Sequence, residues 1–159
     1  MKIKLFLKGM FIALFVAGSL FFVSCEKDDD STDNDATYSL SGDASGAQEV
    51  PAVSTSATGT LTGTYDARTN QLQYIINWTG LSGDVSVAHF HGPASAGESA
   101  PPLIDLTVTT NGVNGNITGS VTLPDSTETH LLNGKLYYNL HSVLNPDGEI
   151  RGQVTTILQ

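Results

Sequence analysis

What the chain lacks narrows its chemistry first. A single cysteine, Cys25, stands among its 159 residues, so no intrachain disulfide can form. Only seven residues are Lys or Arg, against 16 Asp or Glu. A balance that acidic argues against nucleic acid and anionic lipid surfaces as partners. No Gly-rich phosphate loop with its lysine is present, nor any paired acidic motif of defined spacing. No activated nucleophile is in view either. Ser142 follows His141 directly, but neighbours on a strand point to opposite faces, which argues against a Ser–His pair. No window of about 11 residues carries a convincing helical period.

What is present begins with a leader. Lys2, Lys4 and Lys8 precede the apolar run "GMFIALFVAGSLFFV", and Ser24 precedes Cys25. The chain then turns acidic at once with "CEKDDDSTDND", which favours a signal peptide over residues 1–24 rather than an uncleaved membrane anchor. "FFVSC" resembles the relaxed lipobox of Bacteroidetes-type lipoproteins, and "CEKDDD" resembles their surface-export signal. These likenesses imply that Cys25 is lipidated and becomes the mature N-terminus. They also imply a protein anchored to the outer membrane through lipid and facing outward, since acyl chains anchor by buried methylenes. Residues 25–36 read as the lipidated cysteine and a disordered acidic tether. Cleavage before Cys25 leaves Lys27, Arg68, Lys135 and Arg151 against all 16 acidic residues, a net charge of −12 that concentrates cations.

From residue 37 to 159 the composition shifts to Thr, Val, Gly, Leu and Tyr, and alternation of strand length takes over. In "QLQYIINWTG", Leu72, Tyr74, Ile76 and Trp78 share one face. "DARTNQ" joins this run to "GTLTGTY" as a hairpin, and "SGD", "NGVNG", "LPDS" and "NPDG" supply further turns. The spacing predicts an all-β domain, an antiparallel Greek-key sandwich or barrel of about eight strands, immunoglobulin- or superoxide-dismutase-like in type. A last strand is expected near 149–157. Residues 124–134, "PDSTETHLLNG", fit a loop with a helical turn as well as a short strand.

Three of the four histidines fall in this pattern. His89 and His91, two residues apart on a strand, project to one face, with Phe90 turned to the core. The same alternation puts Val85 and Val87 on the histidine face, so that face is covered, the strand starts later, or it carries a bulge. In "KLYYNLHS", Tyr137, Asn139 and His141 oppose the core residues Leu136, Tyr138 and Leu140. If the two strands are neighbours, His89, His91 and His141 offer three imidazoles to copper or zinc and leave a position open. The competing reading is that the histidines anchor the following loop, "GPASAGESAPP", to backbone carbonyls. His130 lies in the ambiguous segment.

Charged residues frame these strands. Glu149 and Arg151 share a face after the "NPDG" turn, where Gly148 tolerates positive φ. Glu149 is a candidate to orient a histidine. Arg151 is expected to pair with Glu49 or Glu149 and tie the chain ends together, the favoured reading of the two. Gln48 and Glu49 precede Pro51 in a segment too polar for core, where one of them suits a buried hydrogen-bonding role.

Together, "LSGDASGAQEVPAV", "AHFHGPA", "LLNGKLYYNLHS" and "NPDGEIRGQV" resemble the CHRD domain, a family named for repeats in the secreted protein chordin. The resemblance runs from about Tyr38 to Thr155, and the family's motif falls on Gln48, Glu49, Pro51, His89, His91, Tyr137, Asn139, His141, Gly148, Glu149, Arg151 and Gly152. It implies a non-catalytic binding or structural module, whose protein or glycan partner it does not name. A weaker likeness is to copper–zinc superoxide dismutases, which join a Greek-key sandwich to an H-x-H strand and a later histidine. There the three are copper ligands. This chain departs from them in having no histidine in the loop after His91 and no cysteine for their disulfide, so fold analogy does not carry over dismutase activity.

Overall fold

The structure is a computed structural model, and it describes residues 36–159. The expected signal peptide, the lipidated Cys25 and nearly all of the expected tether lie outside the described residues. Among the described residues, no helix is long and apolar enough to cross a membrane.

Nine antiparallel strands form one sheet that nearly closes into a barrel. They are β1 (Thr37–Ser45), β2 (Thr58–Asp66), β3 (Gln71–Thr79), β4 (Val85–His91), β5 (Pro102–Leu106), β6 (Gly115–Thr122), β7 (Tyr137–Ser142), β8 (Ile150–Gln153) and β9 (Thr155–Leu158). The strand order is β5-β4-β7-β8-β1-β2-β3-β6, with β9 also paired to β1. The β3–β4 and β6–β7 connections carry the chain across this order, and they bring the two histidine-bearing strands side by side.

The β3 alternation matches its sequence reading: Leu72, Tyr74, Ile76 and Trp78 are buried, and Gln73, Ile75 and Asn77 are exposed. The C-terminal run expected as one strand is two. It breaks at buried Val154, whose N–H donates to the carbonyl of Leu136, so β8 pairs with β7 while β9 pairs with β1. The ambiguous segment forms the single α-helix among the described residues, α1 (Asp125–Leu132). Asp125 and Glu128 lie in its first turn, where the helix dipole favours negative charge. Gly134, at φ +63°, lets the chain leave the helix in a left-handed turn.

Strand β4 settles the difficulty raised by its valines. The pairing with β7 slips between Val85 and Val87, so Ser86 is an extra residue in a bulge. Val85 is thereby turned into the core, while Val87 stays on the histidine side and is 45% exposed. Beyond the bulge the alternation is regular. Ala88 and Phe90 enter the core, and Phe90 meets Tyr74 edge-on with ring centroids 5.2 Å apart. His89 and His91 face the other way, and so do Tyr137, Asn139 and His141 on β7.

Phe90 therefore anchors the strand whose other face carries the histidines. Phe90→Ala should lower unfolding stability by about 3–5 kcal/mol, because it opens a cavity in a closed core. Ile75→Ala, on the exposed side of β3, should change it by less than about 0.5 kcal/mol. Denaturant unfolding of the two variants checks this assignment of faces.

Candidate functional site

Strands β4 and β7 pair with Val87 opposite His141, His89 opposite Asn139 and His91 opposite Tyr137. This register sets the three histidines on adjoining strands of one face. One ring nitrogen from each lies within 4.8 Å of the others. Nδ1 of His89 and Nε2 of His141 are 3.3 Å apart. Two imidazoles on one tetrahedral ion stand about 3.3 Å apart, nitrogen to nitrogen, for metal–nitrogen bonds of about 2.0–2.1 Å. That pair is already at ligand spacing, and the His91 nitrogen lies within 4.8 Å of both. His91 and His141 are nearly closed off, at 7% and 8% exposure, and His89 is half-buried.

The hydrogen bonds of the rings decide where their lone pairs point. His91 Nδ1 lies 3.0 Å from the carbonyl of Ala100, and His141 Nδ1 lies 2.8 Å from that of Pro146. A carbonyl oxygen only accepts, so both Nδ1 atoms carry the proton and both Nε2 atoms present a lone pair. His91 Nε2 is buried without a partner. Burial drives the His91 pKa down from 6.5 to about 4, against the opposing bond to Ala100 and with help from His89, His141 and Arg151. Burial also lowers the His89 pKa, with His141 adding to the effect and Asp105 opposing it. The three rings together form a cluster of nitrogen donors.

A polar layer surrounds the cluster. The Tyr137 ring stacks on His91 at 4.8 Å and 7°, and the Arg151 guanidinium sits 4.3 Å from the Tyr137 ring centroid on the same stack. Arg151 donates through Nε to Glu49 at 2.9 Å, and through its terminal nitrogens to the Glu98 carbonyl and the Ser99 hydroxyl. Tyr137 and His91 both bond Ala100. The "GPASAGESAPP" loop is thus held down by an arginine, a tyrosine and a histidine at once. Glu49 also accepts from Asn139 Nδ2 at 2.7 Å. Burial pushes the Glu49 pKa up, and the Arg151, His141 and Asn139 contacts only partly offset this. Gly148, at φ +125°, lies against this group: a Cβ there would stand 2.6 Å from the Asn139 amide and 2.9 Å from Glu49.

A family model described as the CHRD domain matches residues 40–154, most of the chain. The chain belongs to the CHRD family. No curated protein matches it, and no solved structure does, so the likeness to superoxide dismutases receives no structural support.

The CHRD motif residues separate into groups. His89, His91 and His141 come together, with Tyr137, Asn139, Arg151 and Glu49 packed around them. Glu149 is fully buried but does not reach a histidine. Its carboxylate accepts from Thr55, from the Ser82 backbone and from the Ser82 hydroxyl, and so staples three loops. Burial acts to raise its pKa, but the bonds from Ser142, Ser82 and Thr55 outweigh burial and hold it low. Arg151 takes Glu49 rather than Glu149 as its partner. Gln48 is exposed and bonds locally to Asp43 and Ser45, apart from the histidines. His130 lies on α1, outside the cluster. The sequence reading passed over Asp105, which β5 places opposite His89, with its Oδ1 3.5 Å from His89 Nε2. A lone acid in "PLIDL" signals little until strand pairing is known.

Two outcomes follow for the CHRD domain. The folded state resists protonation of His91, whereas the unfolded chain takes up that proton near pH 6.5. The metal-free protein should therefore keep this contribution above about pH 6.5 and lose it progressively as pH falls towards 4. Melting temperature against pH measures this, and His91→Gln should flatten the profile in that window. Glu49→Ala leaves the Arg151 charge buried and uncompensated and should cost about 3–5 kcal/mol. Arg68→Ala, whose contact with Asp66 is exposed, should leave denaturant unfolding little changed.

Proposed function

We propose that this protein holds one copper or zinc ion through His89, His91 and His141, and that it does so in the cell envelope. The observation that carries the reading is the lone pair of His91 Nε2. It is buried without a partner beside two other imidazoles, while a carbonyl holds the proton on its own Nδ1. Leaving a polar nitrogen buried and unsatisfied costs about 1–3 kcal/mol, and a bound cation removes that cost. The loop-anchoring role of His91 and His141 is compatible with this reading, because in both rings the anchor uses Nδ1 and leaves Nε2 for the ion. Outer hydrogen bonds of this kind are the usual support of metal-bound imidazole.

Three protein nitrogens leave a further coordination position for water or for the group that delivers or receives the ion. The role proposed is capture and holding of the ion. Copper(II) should bind ahead of zinc in an all-imidazole site. The leader and the Cys25 motif support a lipid-anchored protein at the outer membrane, with the acidic tether carrying the domain outward. The acidic surface would raise the local cation concentration.

The test is metal analysis of the purified protein after copper or zinc loading and dialysis. A single retained ion per chain is expected. His89→Ala, His91→Ala and His141→Ala should each weaken binding by more than the roughly 10–100-fold that follows loss of an outer partner. Metal at about a hundred times Kd should add about 2.7 kcal/mol to stability, lost again on chelation. No retained ion, with melting indifferent to chelator, would leave the histidines as loop anchors alone.

A further inference from the structure

The third ligand poses a problem that the other two do not. His91 and His141 have their tautomers fixed by carbonyls, but His89 has two possible proton positions and a different neighbour at each. Its Nδ1 faces His141 Nε2 at 3.3 Å, and its Nε2 faces the Asp105 carboxylate at 3.5 Å. His141 Nε2 is a lone pair, because the proton of that ring is spent on Pro146. Without an ion, Nδ1 of His89 must donate to it. Nε2 of His89 then also presents a lone pair, and it faces an acceptor-only carboxylate. That explains a separation too long for a good charge-assisted hydrogen bond.

We infer that Asp105 is the positioning residue of the site: its carboxylate accepts a hydrogen bond from His89 Nε2–H, so the ring proton is held on Nε2 and Nδ1 is free to bind the ion. This rests on the metal reading above. When a cation enters, the Nδ1 proton of His89 is no longer tolerable there, and the ring exchanges it for one on Nε2. The Asp105 carboxylate then becomes an acceptor for a real donor. All three imidazoles now turn lone pairs to the ion, each with its other nitrogen bonded outward: to Ala100, to Pro146 and to Asp105. The placement follows from β5, which sets Asp105 directly opposite His89 in the ladder. The Asp105 side chain is 94% exposed, so it is free to adjust, and replacing it does not disturb the core.

The experiment compares Asp105→Ala, Asp105→Asn and Asp105→Glu with the unaltered purified protein in competition titrations with copper and with zinc. Asp105→Ala should raise Kd about tenfold, the low end for losing an outer partner because the carboxylate is exposed. Asp105→Asn, which keeps an acceptor oxygen without the charge, should fall between, and Asp105→Glu should recover most of the affinity. Melting of the metal-free variants should be unchanged, which separates positioning from structure. Nitrogen-15 spectra of the histidine rings give an independent readout. On zinc loading, the His89 proton should move from Nδ1 to Nε2, while those of His91 and His141 stay on Nδ1. Unchanged affinity in Asp105→Ala, in a protein that loses its ion on His89→Ala, would overturn this inference alone. A protein that retains no ion at all would overturn it together with the metal reading.

Discussion

One buried guanidinium holds together parts of the site that the sheet alone would leave apart. Arg151 lies on β8, two strands from the histidine pair, yet it reaches the turn after β1 through Glu49 and the loop after β4 through Glu98 and Ser99. Burying a charge costs several kcal/mol unless it is paired and hydrogen-bonded, so each of these partners is tightly constrained. Tyr137 is caught between this cation and His91. The ring plane of His91 is thus set by stacking, and its rotation about that plane by Ala100. The site is positioned by a polar layer that lies outside the hydrophobic core and depends on it only for strand register.

That division explains how β4 and β7 serve two purposes. Their inner faces, with Ala88, Phe90, Tyr138 and Leu140, are packed at 1% exposure or less. The outer face of β7 is also covered, so all six of its residues are buried, while on β4 only the His91 end is closed and Val87 stays exposed. Most antiparallel strands leave one face to water. On β7 both are closed, one by side chains of the barrel and the other by loops pinned to polar groups. The bulge at Ser86 is the point where the two requirements are reconciled: it turns one valine inward without moving the histidines.

The fold was readable because its signals are local. Alternation in β3, the turn residues and the absence of helical period are properties of short stretches, and they carried over with little change. Where the reading stayed open, two local tendencies were balanced. Residues 125–132 have weak amphipathicity, and their helix is settled by its acidic first turn and Gly134. Val154 looks like an ordinary strand residue until its N–H is needed by Leu136 across the chain. The candidate site was legible only to the extent that one strand displays it. His89 with His91, and Tyr137 with Asn139 and His141, follow from period-two geometry. Which carboxylate Arg151 chooses, where Glu149 goes and what Asp105 faces all depend on strand order, and strand order is decided by the whole barrel.

The strand that carries Asp105 lies at one lip of the seam where the barrel fails to close. An open lip of this kind invites a neighbouring chain to add a strand. Pro101 and Pro102 remove two donors from its start, a slip in the ladder between Phe90 and His91 disturbs its regular spacing, and the Asp105 charge stands out into water. The residues that frame the histidines on this side also make the lip a poor template for a second copy. The same five-residue strand therefore disfavours edge-to-edge pairing at this end of the sheet.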